Sequence, residues 1–245
     1  MVGGMTILLF DMDGVLTAPR QPMTAEMADL IVAATALRYC YIVTGSDYAK
    51  VAEQVPKSVL DRLTGVFACA GNEYWSGSEP LARRPHEFPV EMFSAIDALI
   101  DASSYPIRMG GHVEHRSRML NVSVVGRRAD PDQRLAYAQF DREAGERLAI
   151  AATIMTLFPA YDATCGGEIS IDIVPKGCGK EQVAAMLPLS SGPVYFFADQ
   201  LDPGGNDWPL ACELRKESPA NRNFRVRSPA DTKVLLEAML HQVVA

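Results

Sequence analysis

The segment Phe10-Asp11-Met12-Asp13-Gly14-Val15-Leu16-Thr17 sets two carboxylates two residues apart, directly after a short apolar run. If that run is a buried strand, both carboxylates stand at the edge of a sheet, where open α/β folds bind their ligands. Two such groups can divide the work of phosphoryl transfer. One attacks phosphorus, the other donates and later removes a proton, and a hard cation neutralises the phosphoryl oxygens. An acidic turn is the plain alternative. A calcium loop fits worse, because it requires an acidic or amide residue at 15 and a Glu at 22, where Val15 and Pro22 stand.

Three further segments could share that edge. Thr44-Gly45-Ser46-Asp47 offers a hydroxyl and helix-start amides to a phosphoryl oxygen, although Ser-Asp is also an ordinary helix cap. Lys180 opens a helix after a Gly-containing turn and could bring positive charge to the phosphoryl group and nucleophile. It is not a P-loop lysine, since Val174 replaces the leading Gly and Glu181 the hydroxyl residue that binds magnesium. Asp199, Asp202, Asn206 and Asp207 surround the Gly204-Gly205 hinge and could complete an oxygen-rich magnesium shell with Asp11 and the backbone of Asp13. Each alone is weak; all four fall at ends of expected strands.

The elements that would position them follow from periodicity. Thr6 to Phe10 reads as a buried parallel strand, and Thr24 caps a helix over Met27 to Leu37. Cys40 to Val43 and Val66 to Ala68 read as further strands, with a short helix from Asp47 to Gln54 between them. That βαβ rhythm implies a parallel sheet covered on both faces. Pro80 to Pro89 reads as a linker into a different rhythm: a helix over Val90 to Ala102, strands near Val113 and Leu120 to Val125, helices Pro131 to Ala144 and Arg147 to Phe158. Strands Tyr161 to Thr164 and Glu168 to Val174 then join at Gly166-Gly167, as in a hairpin. After Lys180 the first rhythm resumes, with a helix to Leu187, a strand Val194 to Ala198, a helix from Asp207 and a closing helix near Asp231 to Val243. The expected fold is α/β, a Rossmann-like core with a parallel sheet carrying an inserted α+β unit with an antiparallel sheet.

Composition narrows the partners. With 245 residues, 48% hydrophobic and 22% charged, the chain can bury a real core. A net charge of -7 argues against a broad nucleic-acid footprint, so any anion site must be local. The five cysteines form no C-x-x-C pair and read as reduced, mostly buried thiols. Met1 to Phe10 lacks a basic residue and makes a poor signal peptide, and no apolar run reaches the roughly 18 residues of a membrane span. A cytoplasmic protein with no membrane contact is expected. In His112-Val113-Glu114-His115, alternation on a strand turns His112 and Glu114 away from His115, so a strand is preferred to a transition-metal site. Trp75, Trp208, Met92, Met109 and Met119 are read as packing.

The order Asp-x-Asp-Gly, Gly-Ser-Asp, Lys, then Asp with Gly-Gly-Asn-Asp resembles the four-motif set of the haloacid dehalogenase (HAD) superfamily. More closely, residues 13–20 (Asp-Gly-Val-Leu-Thr-Ala-Pro-Arg), 119–123 (Met-Leu-Asn-Val-Ser), 126–127, 166–172 and 203–207 resemble the eukaryotic-type phosphomannomutases. The likeness runs along nearly the whole chain, and several of its segments lie in the insert. It implies that Asp11 is the nucleophile, Asp13 the acid/base, and Ser46 and Lys180 phosphate holders. It assigns a magnesium ion to Asp11, Asp13 and Asp199, with Asn206 and Asp207 supporting metal or loop. It also makes residues 1–80 and 180–245 the catalytic core and 81–179 a substrate-specificity cap. In that cap and its neighbour loop, Arg20, Arg116, Arg127 and Arg134 match the family's arginines, and Ser170 and Asp172 its sugar-binding pair.

Guanidinium forks grip phosphate bidentately, and an Asp accepts bonds from sugar hydroxyls, so this set suits a hexose carrying phosphate at either end. The implied activity interconverts mannose 6-phosphate and mannose 1-phosphate through an aspartyl-phosphate, with Mg2+ and a hexose 1,6-bisphosphate activator. A homodimer through the caps is implied as well. Two other readings stand beside it: a sugar-phosphate phosphatase that admits water to the intermediate, and a non-catalytic sugar-phosphate sensor. The sequence departs from the family at Val15, Ala198 and Gln200, where Thr, Gly and Lys are usual, which alters what supports nucleophile and metal.

Overall fold

The computed structural model describes residues 5–244. Eleven strands are described, β1 (Ile7–Phe10), β2 (Tyr39–Val43), β3 (Gly65–Ala68), β4 (Glu73–Ser76), β5 (Glu79–Arg83), β6 (Val113–Arg116), β7 (Met119–Val122), β8 (Tyr161–Gly166), β9 (Ser170–Pro175), β10 (Val194–Ala198) and β11 (Arg222–Arg225). The α-helices are α1 (Ala25–Thr35), α2 (Tyr48–Gln54), α3 (Lys57–Leu60), α4 (Val90–Asp101), α5 (Pro131–Ala144), α6 (Glu146–Leu157), α7 (Trp208–Glu217) and α8 (Pro229–Val244). They build a seven-stranded sheet, β11-β10-β1-β2-β3-β4-β5, and a four-stranded sheet, β6-β7-β9-β8.

In the larger sheet β11, β10, β1, β2 and β3 run parallel. Every residue of β1 is buried, as a strand covered on both faces requires. Its alternation divides the core: Leu8 and Phe10 pack with α1 and α2 on one face, Ile7 and Leu9 with α7 and the 180–187 segment on the other. The chain leaves the neighbouring strands β2 and β10 at the same end as β1, where Asp11 N donates to Phe197 O at 2.9 Å and Thr44 N to Phe67 O at 2.9 Å. Asp11, Thr44 and Asp199 therefore emerge together, and the chain reverses direction across the sheet between β1 and β10, the position where doubly wound sheets open a crevice.

The smaller sheet is antiparallel throughout. Leu120, Val122, Ile171 and Ile173 face α4 and α6 in a second core. The opposite face carries a row of aligned polar residues, Glu114 opposite Asn121, Asn121 opposite Asp172, Asp172 opposite Thr164. Asn121 and Asp172 of that row line one cleft with Asp11. Helix α5 enters through a capping box, Asp130 accepting from Gln133 N and Gln133 from Asp130 N, and leaves through Gly145 at φ 64°.

Several elements differ from the sequence reading. Pro80 to Arg83 is not linker: it forms β5, which pairs with β4 and extends the core sheet, so the crossing into the second sheet begins after Arg83. β7 stops at Val122, because the chain turns through Gly126 at φ 91°. The helix after Lys180 is a 3₁₀ segment, Lys180–Met186, and β11 was not expected at all. Met109 is 37% exposed and is no core residue, while Met92 and Met119 are fully buried. Trp75 is buried and stacks on Tyr48. Four of the five cysteines are buried and all are free.

Candidate active site

Asp11 leaves β1 and meets Lys180, whose Nζ lies 2.7 Å from Asp11 Oδ1 and 2.6 Å from Asp207 Oδ1. Carboxylate oxygens of Asp11, Asp199 and Asp207 lie within 4.8 Å of one another. Gly14, at φ +84°, lets the turn pass close to this group; a Cβ there would stand 3.1 Å from Asp199 Oδ2. Gln200 holds the loop from two sides, its side chain donating to Asp199 Oδ2 at 2.8 Å and its backbone N to Asp207 Oδ2 at 3.2 Å.

Burial pushes the Asp11 carboxyl well above the ordinary carboxylate range against the pull of Lys180, and Asp207 and Asp199 push the same way. Burial, followed by Asp207, pushes Asp199 up to about 6. Burial draws Lys180 down, but Asp11 and Asp207 outweigh it and hold the ammonium charged, above its usual value. Three carboxylates against one ammonium leave a formal surplus of two negative charges. A divalent cation would cancel it, and an all-oxygen donor set suits magnesium. The residues therefore fit the expected metal. Asp207 joins Asp11 and Asp199, and the carboxylate of Asp13, a residue expected to offer the metal its backbone, accepts Arg20 N at 3.1 Å. Asp202 lies elsewhere, exposed and paired with Arg225 at 2.8 Å.

Asp11 also opens onto a cleft. Asp11, Asp13, Arg20, Ser46, Arg116, Arg127, Arg134, Ser170, Asp172 and Asn206 all line it, although they come from both sheets. Helix α2 spends its cap on Asp47, which accepts Lys50 N at 2.9 Å, so Ser46 is what this loop presents to the cleft. On the opposite wall, Arg127 Nη1 donates to Ser170 Oγ at 2.9 Å and Arg116 Nη1 to Gly45 O at 2.6 Å, tying the smaller sheet to the larger. Asp172 accepts from Asn121 at 2.6 Å and from Asn206 at 3.3 Å. Gly166 makes room for it, since a Cβ there would fall 2.5 Å from Asp172 Oδ2.

Arg134 is 9% exposed, and its Nη1 is buried with no hydrogen-bond partner. Its nearest carboxylate, Glu168, stands 3.7 Å from Nε. Orphaned guanidinium nitrogens are costly, and this one belongs to an arginine that lines the cleft, as a phosphate-binding arginine would.

Three neighbours are not among the expected site residues. Glu114 binds Lys50, Arg116 Nε at 3.1 Å and Arg127 Nε at 3.1 Å, linking α2 to the smaller sheet. Its carboxyl is lowered to about 2, because burial is outweighed by Arg116, Lys50 and Arg127. Asn121 and Gln54 are the others. Glu114 faces the cleft cations while His115 stacks on Phe93 on the other side, as strand alternation requires.

A parallel sheet with an aspartate at the tip of an interior strand, capped by an inserted antiparallel unit, is the haloacid dehalogenase fold. A haloacid dehalogenase-like hydrolase from Bacteroides thetaiotaomicron superposes with TM-score 0.58 at 11% identity, covering 98% of this chain and 99% of that one. The trehalose-6-phosphate phosphatase C-terminal domain of C. albicans gives 0.64 at 15% identity, with 98% and 93% covered. Residues 27–242 match the model of the eukaryotic phosphomannomutase family, and the chain belongs to that family of enzymes. Phosphomannomutase 1 of Dictyostelium discoideum is 30% identical over 246 residues, 97% of each chain. Among the described residues no helix is long and apolar enough to cross a membrane.

Proposed function

We propose that the chain interconverts mannose 6-phosphate and mannose 1-phosphate by way of a hexose 1,6-bisphosphate. The observation that carries this is one cleft that collects Asp11, which is paired with Lys180, together with Arg127 and Arg134, whose Nη1 has no partner. Such a site fits a sugar bearing two phosphates. Residues 84–89 and 176–179 would connect a core to a cap that closes on it.

In the proposed reaction Asp11 attacks phosphorus of the bisphosphate, the P–O bond to the sugar breaks, and Asp13 gives its proton to the departing sugar oxygen. The hexose monophosphate turns end for end, with Arg20, Arg116, Arg127 and Arg134 taking its remaining phosphate and Ser170 and Asp172 its hydroxyls. Asp13 then removes a proton from the new hydroxyl, which takes the phosphoryl group back. Lys180 neutralises charge at Asp11, and Ser46 holds a phosphoryl oxygen. A magnesium ion at Asp11, Asp199 and Asp207 would offset charge on the phosphoryl oxygens. Closure would keep water from the aspartyl-phosphate. Pairing of two copies through their caps belongs to the same reading on family grounds.

The test is the product distribution from mannose 1-phosphate with magnesium, with and without added hexose bisphosphate, read by phosphorus NMR. Mannose 6-phosphate, formed faster with the bisphosphate, is expected. Inorganic phosphate without isomerised sugar would establish a phosphatase instead.

A further inference from the structure

We propose that Gln54 is a positioning residue for Asp13: its side-chain amide tethers one carboxylate oxygen, Oδ1, and so fixes how the other is presented. The proposal rests on the reading of Asp13 as the acid/base.

Gln54 ends α2 and is 7% exposed. Its amide sits among three oxygens, Thr17 Oγ1 at 3.0 Å, Asp13 Oδ1 at 3.2 Å and Gln21 O at 3.3 Å. A carboxylate and a carbonyl only accept, so the nitrogen of the amide, not its oxygen, belongs on that side. The Thr17 hydroxyl has Met12 O at 3.4 Å to donate to, which leaves its lone pairs for the amide. Gln54 is itself held firmly, its carbonyl accepting Met23 N at 2.7 Å and its helix anchored by the fully buried Val51.

Asp13 Oδ1 thus receives two donors, Gln54 Nε2 and Arg20 N at 3.1 Å. Among the described residues no protein donor reaches Oδ2. The two oxygens are therefore unequal: Oδ1 is tethered by two donors and, among the described residues, Oδ2 by none. When Oδ2–H gives its proton to the sugar oxygen, the sugar–phosphorus bond breaks, the Asp11–phosphorus bond forms and Asp13 is left a carboxylate. When the proton returns, Oδ1 becomes the carbonyl oxygen and still accepts both bonds. Nothing local marks Gln54, which lies on another element 41 residues along the chain.

The experiment compares two phosphoryl donors in single-turnover phosphorylation of wild type, Gln54→Met and Gln54→Glu. The sugar oxygen of a hexose 1,6-bisphosphate needs a proton to leave; the phenolate of 2,4-dinitrophenyl phosphate does not. Both variants lack an amide donor, and Gln54→Glu keeps the side-chain shape should Gln54→Met fold poorly. Expected is a loss of about 100-fold with the bisphosphate, little change in its KM, and a loss below about threefold with the aryl phosphate. Asp13→Asn should show the same dependence on donor. Equal losses with both donors, or no loss with the bisphosphate, would overturn the assignment. A wild-type enzyme phosphorylated by neither donor would overturn the Asp11 reading as well, and so is told apart from a failure confined to Gln54.

Discussion

The ammonium of Lys180 and the carboxylate of Asp11 are in direct contact at 2.7 Å, both nearly solvent-free, although 169 residues separate them in the chain. Two distant strand ends supply the pair, since Asp11 follows β1 and Lys180 follows β9 through a short connection. A buried ion pair is costly to assemble and costlier to break. Its place in this fold is explained by chemistry rather than by stability.

Lys180→Met removes the cation that, among the described residues, pairs with both Asp11 and Asp207. In metal-free buffer the variant is expected to lose about 3–5 kcal/mol of stability, the usual cost of stranding a buried charge. Urea unfolding measures it. Magnesium should recover part of the loss, and a variant as stable as wild type would contradict the arrangement.

Asp199→Asn tests the metal group in another way. Magnesium should raise the melting temperature of the wild-type protein, because a ligand that binds only the folded state stabilises it. In the variant the rise should shrink to a small fraction. An unchanged rise would place the cation away from the loop after β10.

Arg134 offers a buried donor that nothing satisfies. Arg134→Ala should therefore cost the folded protein little, while kcat/KM for a hexose monophosphate falls by about 10- to 100-fold, the range of one or two charge-assisted bonds. Calorimetry and steady-state kinetics separate the two effects. A large stability loss with intact kinetics would make Arg134 a structural residue.

Glu114 gives a pH signature. Its carboxyl titrates at about 2 in the fold, below the usual value near 4.5, owing to Arg116, Lys50 and Arg127. A lowered value means that its stabilisation is complete above about pH 4.5 and disappears as pH falls toward 2. With 26% of the side chain exposed, screening leaves roughly 1–2 kcal/mol of the effect. The stability gap between wild type and Glu114→Gln should be flat from pH 5 to 8, narrow below about 4.5 and close near pH 2. A gap as wide near pH 2 as at pH 7 would refute the account.

The parallel core was legible because its strands are apolar throughout and end in Asp11, Thr44 and Asp199. Their burial on both faces leaves no alternation to misread. The hairpin β4–β5 was not, because all five residues of β5 are exposed and Pro80 and Glu79 look like linker. β11 failed for a similar reason: an edge strand reading Arg-Asn-Phe-Arg has too little apolar content to announce itself. Within the site, carboxylates and arginines with motif spacing could be found. Lys50, Gln54 and Glu114 could not, because a lysine and a glutamine on a short helix, or a glutamate on a strand, look solvated until another sheet closes over them.

The central claim is a covalent bond between phosphorus and the Asp11 carboxylate. The direct measurement is to react the enzyme with hexose 1,6-bisphosphate labelled in its phosphoryl groups, quench in acid, digest and locate the label by mass spectrometry. The label should sit on the peptide containing Asp11, be released by hydroxylamine, and vanish in Asp11→Ala. Turnover with the label on another residue, or with Asp11→Ala as active as wild type, would contradict the account.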